Sequence, residues 1–197
     1  GAIRWFPDGI WDAWNHSECV IALEALGCPL QADLGWSYLL NTQAEDGSWT
    51  GQYGNAATII DRLYLSRNDQ TQFTDMNFIA YPAVALFHRF QHRGTDESFP
   101  NLWVMTKRAI GFVLGFQKTD GSFPWSAEGV AEGNTKALPA ANASIHQSLK
   151  SAKVLAETFA ESHEYISRLE NAIAHLEAFL SRARATQNEG HAMDWYY

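Results

Sequence analysis

The sequence has 197 residues, of which 46% are hydrophobic, 13% are aromatic and only 18% are charged, against about 25% charged in an average globular protein. This composition excludes intrinsic disorder, and the length suits one domain with its own core. The formal net charge is −8 and the basic residues form no cluster, which disfavours nucleic-acid binding. No apolar run approaches the roughly 18 to 20 residues that span a bilayer, so we expect a cytoplasmic protein without a membrane span.

Apolar residues recur at helical spacing along nearly the whole chain, and no segment alternates apolar and polar residues as a half-buried strand does. The sequence therefore predicts an all-α fold. The predicted helices cover about residues 10–26, 31–43, 75–92, 98–117, 142–161 and 163–183. We expect them to pair as three antiparallel hairpins.

The hydrophobic pattern also predicts which helices are buried. The first and third helices carry apolar residues around their whole circumference, which is typical of helices buried on all sides, and we expect Cys19 and Cys28 to be reduced, buried thiols. The last helix has one apolar face and one polar face, which is typical of an outer helix. Pro82 must kink or restart the third helix because its ring removes an N–H group. An inner layer wrapped by an outer layer is the expected arrangement.

A short pattern occurs twice, each time at the end of a predicted helix. Gln43 is followed by Ala-Glu-Asp-Gly-Ser-Trp, and Gln117 is followed by Lys-Thr-Asp-Gly-Ser-Phe. Asp-Gly predicts a turn in which glycine adopts a positive φ, and the glutamine can reach back to the open carbonyls at the helix end. The final aromatic residue then covers the joint. This recurrence indicates stacked helical hairpins.

The repeated pattern resembles the QW-type repeat of the terpenoid cyclase and protein prenyltransferase superfamily, which folds as an α/α toroid. Residues 11–18, 77–81, 144–149 and 193–197 resemble segments of bacterial prenyltransferase and squalene-oxidase repeat proteins. The resemblance covers nearly the whole chain and implies an aromatic-lined cavity that binds an isoprenoid or another hydrophobic substrate. A closed toroid needs more than three hairpins. We therefore expect residues 1–197 to form one toroid-type domain that is incomplete at its C-terminus, or that completes its ring as a homodimer.

The catalytic motifs of that superfamily are absent from this sequence. Neither Asp-x-Asp-Asp nor Asp-Asp-x-x-Asp occurs, and Cys19 and Cys28 lie in no zinc-binding setting. No cofactor and no metal are expected, and catalysis itself is left open. Two alternatives follow: a carbohydrate-active enzyme, because α/α toroids also carry glycosidases and polysaccharide lyases, or a non-catalytic binding or scaffold module.

The candidate catalytic residues lie on the first and third helices. Glu18 shares a stripe with apolar residues, where an unpaired charge would cost several kcal/mol, so it either faces a cavity or belongs to a buried polar network. His16 lies beside it, and Asp75 either caps the third helix or points into the cavity mouth. The candidate substrate-binding residues are Trp11, Trp14, Asn15, Asn77, Tyr81, Trp125, Ser144 and Ser148.

Several of these residues have a simpler structural interpretation. Ser144 and Ser148 also suit close helix packing.

Glu128 and Glu132 lie on a long glycine-containing loop and could act as acid and base in sugar chemistry. His88 and His92 have a spacing compatible with zinc, but no third ligand is adjacent in sequence, so no metal site is predicted.

Overall fold

In this computed structural model, the structure describes residues 1–7, 9–51, 53, 74–127 and 137–185. Every regular element in these ranges is helical, and the remaining pairings are isolated bridges between Trp11 and Tyr53 and between Asp75 and Ser126. The predicted all-α fold is confirmed. The helices are α1 Ala13–Ala25, α2 Pro29–Thr42, α3 Met76–Ala80, α4 Pro82–Arg93, α5 Phe99–Leu114, α6 Pro139–Thr158 and α7 His163–Ala185.

The helices form three hairpins arranged in two layers. Helix α1 packs on α2, the α3–α4 pair packs on α5, and α6 packs on α7. Helices α1, α4 and α6 are neighbours in the inner layer, and α2, α5 and α7 lie outside them. This is the alternation that the hydrophobic pattern predicts. No helix in the described part of the chain is long and apolar enough to cross a membrane.

One face of the inner helix α1 is open, so the expectation that this helix is buried on all sides is wrong. Glu18, Cys19, Ala22 and Ala25 are exposed on that face, while Val20 on the opposite side is fully buried. Apolar residues around the circumference indicate a low-polarity helix but do not identify the face that lacks a neighbour. Both cysteines are free thiols, yet Cys19 is exposed, so the expected burial of both is also wrong.

Pro82 divides the third predicted helix as expected. Helix α3 ends at Ala80, and α4 begins at Pro82, which occupies a first-turn position where its missing N–H group costs nothing. Most of the resulting α3–α4 pair is buried, because α1, α5 and α6 all pack against it.

A buried ion network joins the C-terminal end of α1 to α4. The Arg89 side chain is 1% exposed, and its Nη1 lies 3.0 Å from Glu24 Oε1 and 2.8 Å from Asp33 Oδ1. Its Nη2 contacts Asp96 Oδ2 at 2.5 Å, and Arg93 Nε contacts Glu24 Oε2 at 2.5 Å. Because these residues come from α1, α2, α4 and the loop between α4 and α5, the network ties the first two hairpins together.

The two repeated turns tie the outer helices to each other. Gln43 Nε2 donates to the carbonyl oxygens of Gly47 and Met105, both at 2.9 Å. Gln117 Nε2 donates to Gly121 at 3.1 Å and to Ala172 at 2.9 Å. The glutamine was expected to serve its own helix end. Instead, each glutamine links its turn to the middle of the next outer helix, and we call this arrangement the glutamine clasp.

We predict that Gly47→Ala destabilises the protein, because Gly47 has a φ of 95° and an added Cβ would lie 2.6 Å from the Arg108 carbonyl oxygen. The left-handed conformation alone costs an alanine about 1–2 kcal/mol. Gly111→Ala is the matched control, since nothing lies within 4 Å of its added Cβ and it sits inside α5. That change should stabilise the protein by about 0.5–1 kcal/mol. Urea unfolding measures both, and equal stability of the two variants would contradict the clasp geometry.

Candidate functional site

Aromatic and polar side chains meet where the inner helices α1 and α3 begin. The Trp14 ring lies 5.5 Å from the Phe78 ring and 5.7 Å from the Tyr81 ring, measured between centroids. The Tyr81 hydroxyl donates to Glu18 Oε1 at 3.3 Å. These contacts bring together predicted site residues from two helices that are distant along the chain.

Asp12 caps α1 and is held by three hydrogen-bond donors. Its Oδ1 accepts from the Asn15 backbone N–H at 2.8 Å, and its Oδ2 accepts from Trp5 Nε1 at 2.7 Å and from Asn15 Nδ2 at 2.8 Å. Asp12 is 1% exposed. Because all three partners are N–H donors, the side chain acts only as an acceptor, as a carboxylate does. Asp12 was not among the predicted site residues, although an aspartate directly before a helical pattern is a recognised cap signal.

Asp75 caps α3 and has a strongly altered acidity. Its Oδ1 accepts from the backbone N–H groups of Asn77 at 2.9 Å and Phe78 at 3.1 Å. Burial raises the pKa of Asp75 to about 7, and the negative charge of Asp12 acts in the same direction against the two N–H groups. Oδ2 receives no hydrogen bond from the described residues. At neutral pH this carboxyl group is therefore able to give or take a proton.

Asn77 adds an unsatisfied acceptor beside Asp75. Its side chain is 5% exposed, and its Oδ1 has no hydrogen-bond partner in the described ranges. Buried polar atoms without a partner are uncommon and often mark a site that a ligand or water completes. Asn77 is therefore a predicted binding residue with unused bonding capacity.

Glu18 lies exposed on the open face of α1, which contradicts the alternative that it belongs to a buried polar network. Its carboxylate is exposed and is contacted by the Tyr81 hydroxyl. Burial and then the charge of Glu18 raise the pKa of Tyr81, which keeps that hydroxyl protonated and able to donate. Glu18 is therefore a carboxylate that faces solvent beside Tyr81. We call the group of side chains at the start of α1 and α3 the rim; it comprises Asp12, Trp14, Glu18, Asp75, Asn77 and Tyr81.

His16 has a structural role, in contrast to its predicted catalytic role. Its ring is fully buried, its Nδ1 accepts from the Ile3 N–H at 3.1 Å, and its Nε2 lies 3.0 Å from the Gly35 carbonyl oxygen, to which it donates. Burial lowers the pKa of His16, so the ring is neutral. Both ring nitrogens are occupied by backbone groups, which leaves neither free for proton transfer.

The remaining predicted binding residues differ in position. Trp11 is 2% exposed and stacks on Tyr53 with ring centroids 4.3 Å apart, so it belongs to the core. The Trp125 carbonyl accepts from the Met76 N–H at 3.0 Å, which places this loop beside the start of α3.

The two candidate serines are used within their own helix. The Ser148 hydroxyl is buried and donates to the Ser144 carbonyl at 3.0 Å, as helix packing requires. Glu128, Glu132 and residues 193–197 lie outside the described residues. His88 and His92 are part of no group of three or more potential metal ligands in the described ranges.

Two open grooves lie away from this rim. An open groove of about 510 Å³ runs between the end of α5 and α7, lined in part by Gln117 and His175. Another of about 460 Å³ lies between α2 and α5, lined in part by Trp36 and Leu102. Neither includes Asp12 or Asp75. The candidate site therefore lies outside both of these grooves.

No protein-family profile matches this chain. The chain is 31% identical over 204 residues to a protein of Mycolicibacterium hassiacum named MMP endo-(1,4)-3-O-methyl-alpha-D-mannosidase. The alignment covers 100% of this chain and 51% of that protein, so the chain spans about half the length of the curated relative.

This similarity overturns the resemblance to terpenoid cyclases and prenyltransferases, together with the isoprenoid substrate that it implied. The overturned inference rested on the Gln-x-x-Asp-Gly-Ser-aromatic pattern. In the structure that pattern forms clasps between outer helices. A structural element of this kind can support different chemistries, which is why it misidentified the reaction.

We predict that Asp75→Asn weakens the pH dependence of stability. With a folded-state pKa of about 7, raised from 3.8, wild-type Asp75 favours folding at low pH and loses that contribution as the pH rises from about 4 to 7. Asparagine keeps the cap but cannot ionise. The free energy of unfolding of the variant should therefore exceed that of wild type by about 1–3 kcal/mol at pH 8. Urea unfolding between pH 4 and 8 measures this difference.

Asp120→Asn is the control, because the contribution of Asp120 to stability should have the opposite pH dependence. Burial acts to raise the pKa of Asp120, but hydrogen bonds from Ser122 outweigh it and hold this pKa below its usual value. The contribution of Asp120 is therefore present above about pH 4 and is lost on acidification. A parallel pH profile for wild type and Asp75→Asn would contradict the assignment of Asp75.

Proposed function

We propose that this chain forms part of a glycosidase that cleaves α-(1,4)-linked chains of O-methylated mannose. The observation that carries the proposal is Asp75, a carboxyl group with a pKa of about 7 at the rim where the inner helices begin. A carboxylic acid that stays protonated near neutral pH is what glycoside cleavage requires of its general acid. The substrate class is taken from the name of the mannosidase of Mycolicibacterium hassiacum.

Asp75 is assigned the role of general acid. As the bond between the anomeric carbon and the glycosidic oxygen breaks, the Asp75 proton passes to that oxygen and the leaving sugar departs as an alcohol. Asp12 is too buried to reach a polysaccharide. Burial is the main cause that keeps Asp75 protonated, and the negative charge of Asp12 acts in the same direction, so Asp12 is a positioning residue.

Glu18 is assigned the role of general base, which activates the attacking water molecule. Its exposed carboxylate can accept a proton from a water molecule whose oxygen bonds to the anomeric carbon. The Tyr81 hydroxyl orients this carboxylate by its hydrogen bond. The proton lost by Asp75 and the proton gained by Glu18 balance over one turnover.

Trp14 and Asn77 are assigned to substrate binding. Trp14 is half-buried against Phe78 and Tyr81, which leaves part of an aromatic surface for a sugar ring. The unsatisfied Asn77 Oδ1 can accept a hydrogen bond from a sugar hydroxyl.

We predict that Asp75→Asn and Glu18→Gln each lower the hydrolysis rate by about 10²–10⁴-fold, the usual contribution of general acid–base catalysis. The assay follows new reducing ends released from an α-(1,4)-linked 3-O-methylmannose oligosaccharide. Because Glu18 is exposed, Glu18→Gln should leave the melting temperature unchanged. Glu45→Gln, an exposed carboxylate on the first clasp turn, is the control and should keep full activity. A wild-type chain that neither binds nor cleaves the oligosaccharide contradicts the proposal.

We further propose that the chain associates through an exposed stripe of leucines. Leu30 and Leu34 are 75% and 60% exposed one turn apart on the outer helix α2, and Leu26, directly after α1, is 75% exposed. We call this the leucine face. Contiguous apolar surface of this kind marks contact sites.

The expected outcome is a wild-type dimer in size-exclusion chromatography with light scattering. Leu30→Glu combined with Leu34→Glu should give a folded monomer, because each charge would otherwise be buried without a partner. Val154→Glu, which alters an exposed apolar residue on α6, should leave the dimer intact. A monodisperse wild-type monomer contradicts the proposal.

A further inference from the structure

Trp5 is an exposed tryptophan that is nevertheless fixed in place. Its side chain is 49% exposed. Its indole Nε1 donates to Asp12 Oδ2 at 2.7 Å, and its backbone N–H donates to the Ile10 carbonyl at 2.9 Å. Large aromatic side chains usually gain stability by burial, so an anchored ring with half its surface in solvent has little to contribute to the core.

The anchor places Trp5 at the candidate site. Asp12 caps α1, and its charge acts on Asp75 at the start of α3. The Ile3 N–H donates to the buried His16 ring, which secures the same N-terminal segment two residues before Trp5. The indole ring is therefore held at the rim by its polar edge, which leaves part of its apolar surface in solvent.

We propose that Trp5 is a stacking platform for a sugar ring in a binding subsite next to the proposed general acid. This inference rests on the proposed glycosidase function. A pyranose ring has an apolar side formed by its C–H groups, which packs against an indole face in the way that other flat apolar groups do. O-methylation removes a hydroxyl donor and adds a methyl group, so it increases the apolar surface that such a platform can cover. The ligand class is an α-linked, O-methylated hexopyranose chain.

Two variants separate stacking from the hydrogen bond to Asp12. Trp5→Ala removes both the ring and the N–H group. Trp5→Phe keeps an aromatic face but cannot donate to Asp12. If Trp5 acts only by orienting Asp12, the two variants should behave alike, whereas a stacking platform should tolerate phenylalanine.

The experiment titrates wild type and both variants with an α-(1,4)-linked 3-O-methylmannose oligosaccharide by calorimetry, alongside kcat and KM. We expect Trp5→Ala to raise Kd and KM by about tenfold while kcat changes little, as loss of one aromatic contact predicts. Trp5→Phe should stay within about threefold of wild type, on the same energy scale. Val104→Ala, which trims an exposed apolar residue on the outer helix α5, is the control and should not change Kd.

Each outcome decides the inference. Binding by Trp5→Ala that equals wild type overturns it while leaving the glycosidase proposal intact, because wild type still binds. Equal weakening in both variants, or a fall in kcat with constant KM, assigns Trp5 to the orientation of Asp12 and overturns the stacking role. A wild-type chain that does not bind the oligosaccharide overturns both proposals together.

Discussion

The glutamine clasp is the constraint on which the arrangement of the hairpins depends. An outer helix of this fold presents backbone carbonyls to its neighbour, and the clasp supplies a donor at one defined carbonyl, Met105 or Ala172. The turn is prepared for this contact, because Asp46 Oδ1 accepts both the N–H and the hydroxyl of Ser48. A glutamine side chain has a short reach, so the next outer helix can occupy only one register. Each inner helix is paired with an outer helix, so the start of α3 is set beside the start of α1.

The two ends of the inner layer differ in electrostatic character. At the end of α1, Arg89 and Arg93 neutralise Glu24 and its acidic neighbours, and removing one partner from such a buried pair costs about 3–5 kcal/mol. At the start of α1, the hydrogen-bond donors that hold Asp12 are neutral N–H groups, and its charge adds to the effect of burial in raising the pKa of Asp75. One end is therefore suited to stability. The other end holds Asp12 and Asp75, and the charge of Asp12 disfavours ionisation of Asp75. Shifted pKa values of this kind are common in active sites.

The sequence predicted features that depend on local chemistry. Helical periodicity identified each hairpin, Pro82 restarted its helix, and the Asp-Gly turns formed with glycine at positive φ. The open face of α1 was not predictable, because periodicity reports the polarity of a helix and not which neighbours surround it. Asp75 was selected, but its acidity depends on burial and on Asp12, which lies far away in the sequence. Helical periodicity does not show contacts between residues that are distant along the sequence, and for this reason the Glu24–Arg89 pair was also missed.

The N-terminal segment connects these features, because His16 holds it without taking part in proton transfer. The neutral ring accepts from the Ile3 N–H and donates to Gly35. A protonated ring would carry a second N–H group and could no longer accept from Ile3. Since burial lowers the pKa of His16, this contact contributes stability above about pH 6.5 and loses it on acidification. Asp75 has the opposite dependence, because its protonated form is favoured in the fold. The rim is therefore best formed in the interval where His16 is neutral and Asp75 still carries its proton, which is also the interval in which a general acid at Asp75 could work.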